Sequence, residues 1–233
     1  MNLFYASPSE ILGNSITIHG QEAKHITRVL RFGMGDTIHV TDGEGNLYSC
    51  IIERVDKGLL TADIQSSEKK ERKLPHITLC LGIIKKRARL EFAIEKAVEL
   101  GADEIVLFSG DNSEREKVRL DRVQGVALSA MKQSKGFWLP EVKLANSLKD
   151  AVQQAGNDIT VVTADEQFEE TINPAEIPDS RKYLLVIGPE GGFSAKERGF
   201  LDSIQSIRYS LGERRLRAET AAMVMVDRIK QPR

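Results

Sequence analysis

From residue 77 onward, short apolar runs alternate with segments whose apolar residues recur every three or four positions. Residues 77–84 read as a buried strand. Residues 87–100 read as a helix, with Leu90, Ile94 and Val98 at i, i+4 and i+8 and Gly101 closing it. Residues 104–108, 159–163 and 183–187 are predicted strands; 120–133 and 148–155 are predicted helices. Strands that alternate with helices run parallel, because each return crossing carries a helix, and both faces of the sheet are then covered. This rhythm predicts an α/β domain with a parallel sheet.

The first third has a different rhythm. Residues 15–18, 37–41, 48–55 and 59–64 alternate apolar and polar side chains and are separated by turns such as Asp42-Gly43 and Lys57-Gly58. One segment, 21–30, is predicted helical. The expectation is a small β-rich domain closed as a barrel. The charged stretch 67–73 reads as a plain linker ahead of Pro75. The expected division is therefore 1–70 and 71–233.

Several classes are disfavoured. No stretch approaches the apolar length of a membrane span, and the first residues carry neither a basic n-region nor a long apolar core, so a cytoplasmic location is expected. Cys50 and Cys80 are too few and too far apart for a disulfide framework or a zinc site, and read as buried free thiols. The four histidines show no ligand spacing, so no metal is expected. With 33 Lys and Arg against 34 Asp and Glu, the chain is not a polybasic nucleic-acid binder, and any such contact must come from local patches.

Residues 184–197 read LLVIGPEGGFSAKE: an apolar strand, a turn with three glycines, then Ser194 and Glu197 in a capping-box pattern. The turn lies at the carboxyl end of a strand, where parallel sheets bind ligands. It is ill suited to phosphate. Neither G-x-G-x-x-G nor a P-loop is present, Pro189 removes a backbone donor, and Glu190 adds negative charge. A neutral or cationic ligand with hydroxyls and a purine suits it better, and S-adenosylmethionine has that character. A glycine turn with no ligand fits this stretch equally well. A second corner follows in IRYSLGERRLRAETAA, residues 207–222, where a short strand ends at Leu211-Gly212 and an apolar helix begins near Ala218. Two glycine corners on successive strand ends can clamp one ligand. Arg214, Arg215 and Arg217 bring positive charge to the second corner, either for a polyanionic acceptor or as a solvated basic loop.

Taken together, IGPEGGFS and LGERRLRAETA resemble the RsmE family, whose members methylate N3 of a uridine in 16S ribosomal RNA. Supporting likeness comes from NLFYA, from EAKHITRVLR at 22–31, from Gly35-Asp36 and Asp42-Gly43, from KAVELG at 96–101, from Ser113-Glu114-Arg115 and from Gln133-Ser134 before Pro140. The resemblance implies a small PUA-like RNA-binding β-barrel followed by a SPOUT-type α/β domain with a deep C-terminal trefoil knot, assembled as a homodimer. It further implies an S-adenosylmethionine site made of Gly188, Pro189, Glu190, Gly191 and Gly192, of Leu211, Gly212, Leu216 and Arg217, and of Thr163 as a third wall. The implied partner is 16S rRNA or the small ribosomal subunit. One departure stands out: the family often carries an arginine shortly after the Gln-Ser pair, where this chain has Lys135, a point charge rather than a flat fork. Phe137 and Trp138 then stand either as base-stacking residues or as core or dimer-interface aromatics.

Methyl transfer to uridine N3 requires loss of the N3 proton from an unpaired base. Arg217 is the candidate for stabilising the uracil anion or a flanking phosphate. Glu219 is the nearest candidate base, or else pairs with Arg217 or caps its helix. Lys24, Arg28 and Arg31, at helical spacing, with Arg214 and Arg215, are the candidate RNA contacts. A second basic stretch, residues 85–89, opens a helix at the end its dipole disfavours for cations, which hints at another role. The competing readings are another SPOUT RNA methyltransferase acting on a different base or a ribose hydroxyl, a non-catalytic ribosome-assembly factor, and a dinucleotide-dependent oxidoreductase, whose glycine fingerprint the sequence lacks.

Overall fold

The computed structural model describes residues 2–114, 117–167 and 177–230. The chain divides into two compact units, Met1–Arg72 with Met131–Leu139, and Lys73–Ala130 with Pro140–Arg233. Arg115, within one of the sequence motifs, lies outside the described residues.

The first unit contains β1 (Leu3–Tyr5), β2 (Ile11–Leu12), β3 (Ser15–His19), α1 (Gly20–Lys24), β4 (Thr37–Thr41), β5 (Asn46–Asp56) and β6 (Leu59–Lys69). Its six-stranded sheet runs β1-β4-β5-β6-β3-β2. All pairings are antiparallel except β1 with β4. The period-2 pattern decides which side is core: Ile16, Ile18, Ile38, Val40, Cys50, Ile52, Leu60 and Ala62 form one buried cluster.

Two expectations are corrected in this unit. Only residues 70–73 of the charged stretch 67–73 are linker, and the boundary between the units falls there. β6 extends through Lys69 and pairs with β5 as far as Asn46. A strand whose side chains all face water carries no alternation for the sequence to display. The segment 21–30 is not one α-helix either. Past Lys24 it widens into a π-helical turn at His25–Val29, and Arg31 leaves it at φ 60°. A wider turn breaks the i, i+4, i+7 register, so Lys24, Arg28 and Arg31 are exposed but do not line up on one α-helical face.

The second unit contains β7 (His76–Gly82), α2 (Arg87–Glu99), β8 (Glu104–Phe108), most of α3 (Leu120–Gln133), β9 (Glu141–Ala145), α4 (Leu148–Gln154), β10 (Thr160–Ala164), β11 (Lys182–Ile187), α5 (Ala195–Ser203), β12 (Ile207–Arg208) and α6 (Ala218–Lys230). Every pairing in its sheet, ordered β12-β10-β11-β7-β8-β9, is parallel. Central strands are apolar along their length because helices cover both faces: Leu79, Cys80, Leu81, Leu184, Leu185 and Val186 are all fully buried. α2 buries Leu90, Ala93, Ile94, Ala97 and Val98 and ends at Gly101, whose φ of 95° suits only glycine. β9 was not legible in the sequence. It is an edge strand whose charged Glu141 and Lys143 interrupt the apolar pattern. Cys50 and Cys80 are buried free thiols, and burial raises the Cys50 thiol to about 12.

Candidate functional site

The carboxyl ends of β10 and β11 and the segment after β12 enclose a cavity of about 570 Å³ in the second unit. The first corner, Gly188 to Gly192, follows β11. Gly188 and Gly191 are set by contact, and Gly192 by its φ of 69°. A Cβ on Gly191 would lie 2.8 Å from the backbone oxygen of Asn112, and one on Gly188 would lie 3.2 Å from the Phe193 ring. The Pro189 ring packs against Gly82, at the end of β7, and Gly110, just beyond β8. The capping box is present: Ser194 Oγ accepts from the Glu197 N–H at 3.1 Å, and Glu197 Oε2 accepts from the Ser194 N–H at 2.8 Å. The same two side chains reach a neighbouring loop, since Glu197 Oε1 accepts from the Asp111 N–H and Ser194 Oγ donates to Asp111 Oδ2 at 2.6 Å.

The second corner, Leu211 to Arg217, follows β12, which is shorter than the strand predicted to reach Leu211-Gly212. Gly212 sits at φ 112°, where any side chain is strained. Leu211, Gly212, Leu216 and Arg217 all line the cavity, as do Gly188, Pro189, Glu190 and Gly192. Gly191 does not; it is turned toward Asn112.

Thr163 is placed differently from the expectation. It is fully buried, its Oγ1 lies 2.5 Å from Ser206 Oγ, and its carbonyl accepts from the Tyr209 N–H. β10 runs one residue further than predicted, so the third wall is Ala164, Asp165 and Glu166. Asp165 is fixed by Arg198 Nε at 2.6 Å, and Glu166 pairs with Arg215 at 2.7 Å. The Arg215 pair is open to solvent and so weak. Arg214 and Arg217 are exposed at the rim with no acidic partner among the described residues.

Sequence reasoning missed Arg89 as a wall residue. Its Nη1 lies 2.9 Å from Glu190 Oε1, and its Nε lies 3.6 Å from Glu219 Oε1. Glu190 Oε2 also accepts from the Lys85 N–H at 3.0 Å. The negative charge of Glu190 is therefore met by protein groups. Glu219 is 7% exposed and its Oε2 has no hydrogen-bond partner among the described residues. It pairs with Arg89 rather than Arg217. The wrong-ended basic stretch at the start of α2 was the available signal. Arg87 and Lys85 also have acids to face, Glu91 and Glu114.

Chemically, the cavity offers backbone groups at two glycine corners and carboxylates already matched by arginines. Neither corner has the sequence of a phosphate loop. Such a pocket suits a hydroxyl-rich or cationic ligand, while the rim suits an anionic one.

In the first unit, Trp138 packs directly on Gly45, where a Cβ would fall 2.3 Å from the indole. Lys69 and Arg72 each lie 5.0 Å from the Trp138 ring, and Lys70 lies 5.6 Å from the Phe137 ring. Both aromatics are half-buried packing residues of this unit. Lys135 sits at φ 58° in the turn before them.

A family model described as an RNA methyltransferase domain matches residues 70–230, and one described as an RNA methyltransferase PUA domain matches residues 18–65. The chain is 29% identical to ribosomal RNA small subunit methyltransferase E of Aquifex aeolicus, across 97% of this chain and 98% of that protein. A probable rRNA-methyltransferase from Porphyromonas gingivalis is similar in structure, with TM-score 0.86 and 30% identity over 97% of this chain and 95% of that one. Ribosomal RNA small subunit methyltransferase E from Neisseria gonorrhoeae, solved bound to S-adenosyl methionine, gives TM-score 0.83 at 26% identity over 97% and 95% of the two chains.

Proposed function

The chain belongs to the RNA methyltransferase family matched by residues 70–230, and from that premise we propose that it methylates N3 of a uridine in 16S ribosomal RNA of the small ribosomal subunit, using S-adenosylmethionine. What carries this reading is one cavity walled by both glycine corners, in a chain similar along its whole length to small subunit rRNA methyltransferases. The corners at Gly188–Gly192 and Leu211–Arg217, with Ala164–Glu166, would hold the cofactor. When bound, it supplies an electrophilic methyl carbon on a sulfonium.

The protein's task is orientation and charge. The residues of the site would hold uracil N3 facing that methyl carbon, and a base on the protein would take the N3 proton. Arg217, exposed beside the cavity, faces the charge of the deprotonated base or a flanking phosphate. Glu219 is the candidate acceptor for the proton. Lys24, Arg28, Arg31, Arg214 and Arg215 are the proposed RNA contacts, with residues 1–70 as the RNA-binding part and 71–233 as the methyltransferase part. The SPOUT trefoil knot, the homodimer and a cytoplasmic location belong to the same proposal. No helix among the described residues is long and apolar enough to cross a membrane.

The test is direct. Purified protein is incubated with methyl-labelled S-adenosylmethionine and small ribosomal subunits lacking the modification, and the labelled nucleoside is identified. Label in 3-methyluridine is expected. Label in any other nucleoside overturns the acceptor assignment.

A further inference from the structure

We infer that Arg89 is a positioning residue of the cofactor site, a single guanidinium that ties the first corner to the helix behind the second. The inference rests on the cofactor reading above and goes beyond it to a residue on a third element. Arg89 stands in the first turn of α2 and lines the cavity. Its Nη1 donates to Glu190 in the turn after β11, at 2.9 Å; its Nε faces Glu219 in the first turn of α6 as a longer ion pair, at 3.6 Å. Glu190 in turn accepts from the Lys85 N–H, so the turn is held from two sides.

Three observations favour a site role over ordinary surface pairing. A cation in the first turn of a helix opposes the helix dipole, so this placement works against α2 itself. Glu219 is nearly buried and carries an oxygen with no partner among the described residues, a cost that native proteins retain chiefly at functional sites. And two carboxylates on separate segments converge on one planar fork, which an ammonium cannot serve in the same way.

The experiment measures S-adenosylmethionine affinity by calorimetry for wild type, Arg89→Met, Arg89→Lys, Glu190→Gln and Glu219→Gln, with the doubles that pair Arg89→Met with each glutamine. Arg89→Met is expected to weaken binding on the order of tenfold, the loss of one charged hydrogen bond and one ion pair at a site. Arg89→Lys should recover only part of it. Glu190→Gln and Glu219→Gln should each weaken binding less, and neither should add fully to Arg89→Met, since contacting residues couple. A merely structural arginine would lower thermal stability while its effects added to those of the two glutamines; that additivity overturns the inference. So does an Arg89→Lys protein with wild-type affinity, which also decides the matter if Arg89→Met fails to fold. Wild-type protein that binds the cofactor but leaves RNA unmethylated overturns the acceptor reading alone, because the cycle is read on binding. Wild-type protein that does not bind it overturns both.

Discussion

Pro189 lies directly over the α-carbon of Gly82: a Cβ there would stand 2.3 Å from the proline nitrogen and 2.6 Å from its Cδ. Gly110 bears on the same ring, with a Cβ position 3.0 Å from Cγ. The turn that walls the cavity is thus seated on the ends of two neighbouring strands. Gly82→Ala must displace it. Overpacking of this kind costs about 1–3 kcal/mol, and the displaced turn should weaken S-adenosylmethionine binding on the order of tenfold. Calorimetry and a thermal melt check both; a variant unchanged in either respect would mean the seat is not what sets the turn.

Arg217 and Glu219 divide the chemistry in our reading, and steady-state kinetics separates them from binding. Arg217→Ala is expected to lower kcat on the order of a hundredfold, the scale of losing one charge-stabilising donor, and to lower kcat by more than it lowers cofactor affinity. Glu219→Gln should lower kcat while also touching affinity through Arg89. Near-normal turnover in both variants would remove both residues from the mechanism.

Glu197 is a buried carboxylate that receives two backbone N–H groups, from Ser194 and Asp111. Glu197→Ala leaves both donors short of a partner, and stability should fall by about 1–3 kcal/mol. Urea unfolding measures this. A midpoint unmoved from wild type would show that water replaces the carboxylate without cost.

Acid should act on the first unit through Asp42. Burial pushes this carboxyl up, but it is outweighed by the Asn46 side chain, the backbone N–H groups of Glu44 and Asn46, and the Tyr48 hydroxyl, which together hold it below its ordinary value. A carboxyl lowered by folding stabilises the protein above its unfolded pKa, and that contribution is lost as pH falls through the folded one. Stability should therefore decline as pH falls below about 4, the ordinary aspartate value. Asp42→Asn should be less stable at neutral pH and lose part of this acid dependence. Parallel slopes of unfolding midpoint against pH in the two proteins would reject the assignment.

The parts of the site that depend on backbone shape were legible in the sequence. Gly188, Pro189 and Gly212 announce themselves because few other residues tolerate those contacts or angles. The parallel sheet was legible because apolar runs and helical spacing alternate. What escaped depends on partners distant in sequence. Nothing near Arg89 indicates that Glu190 and Glu219 will meet it. Thr163 was assigned to the wall because strand ends are poorly marked, and one added residue in β10 moves the wall to Ala164. The π-helical turn at His25 hides in a pattern that an α-helix satisfies as well.

The first unit includes Met131–Leu139, and Trp138 from that stretch covers Gly45. During synthesis, then, the amino-terminal strands emerge long before the tryptophan that closes over them. A nascent chain stopped after residue 72 exposes the surface that Trp138 occupies in the finished protein. An amino-terminal fragment ending there should be less soluble than its sheet suggests, and the first unit completes only when more than half the chain has left the ribosome.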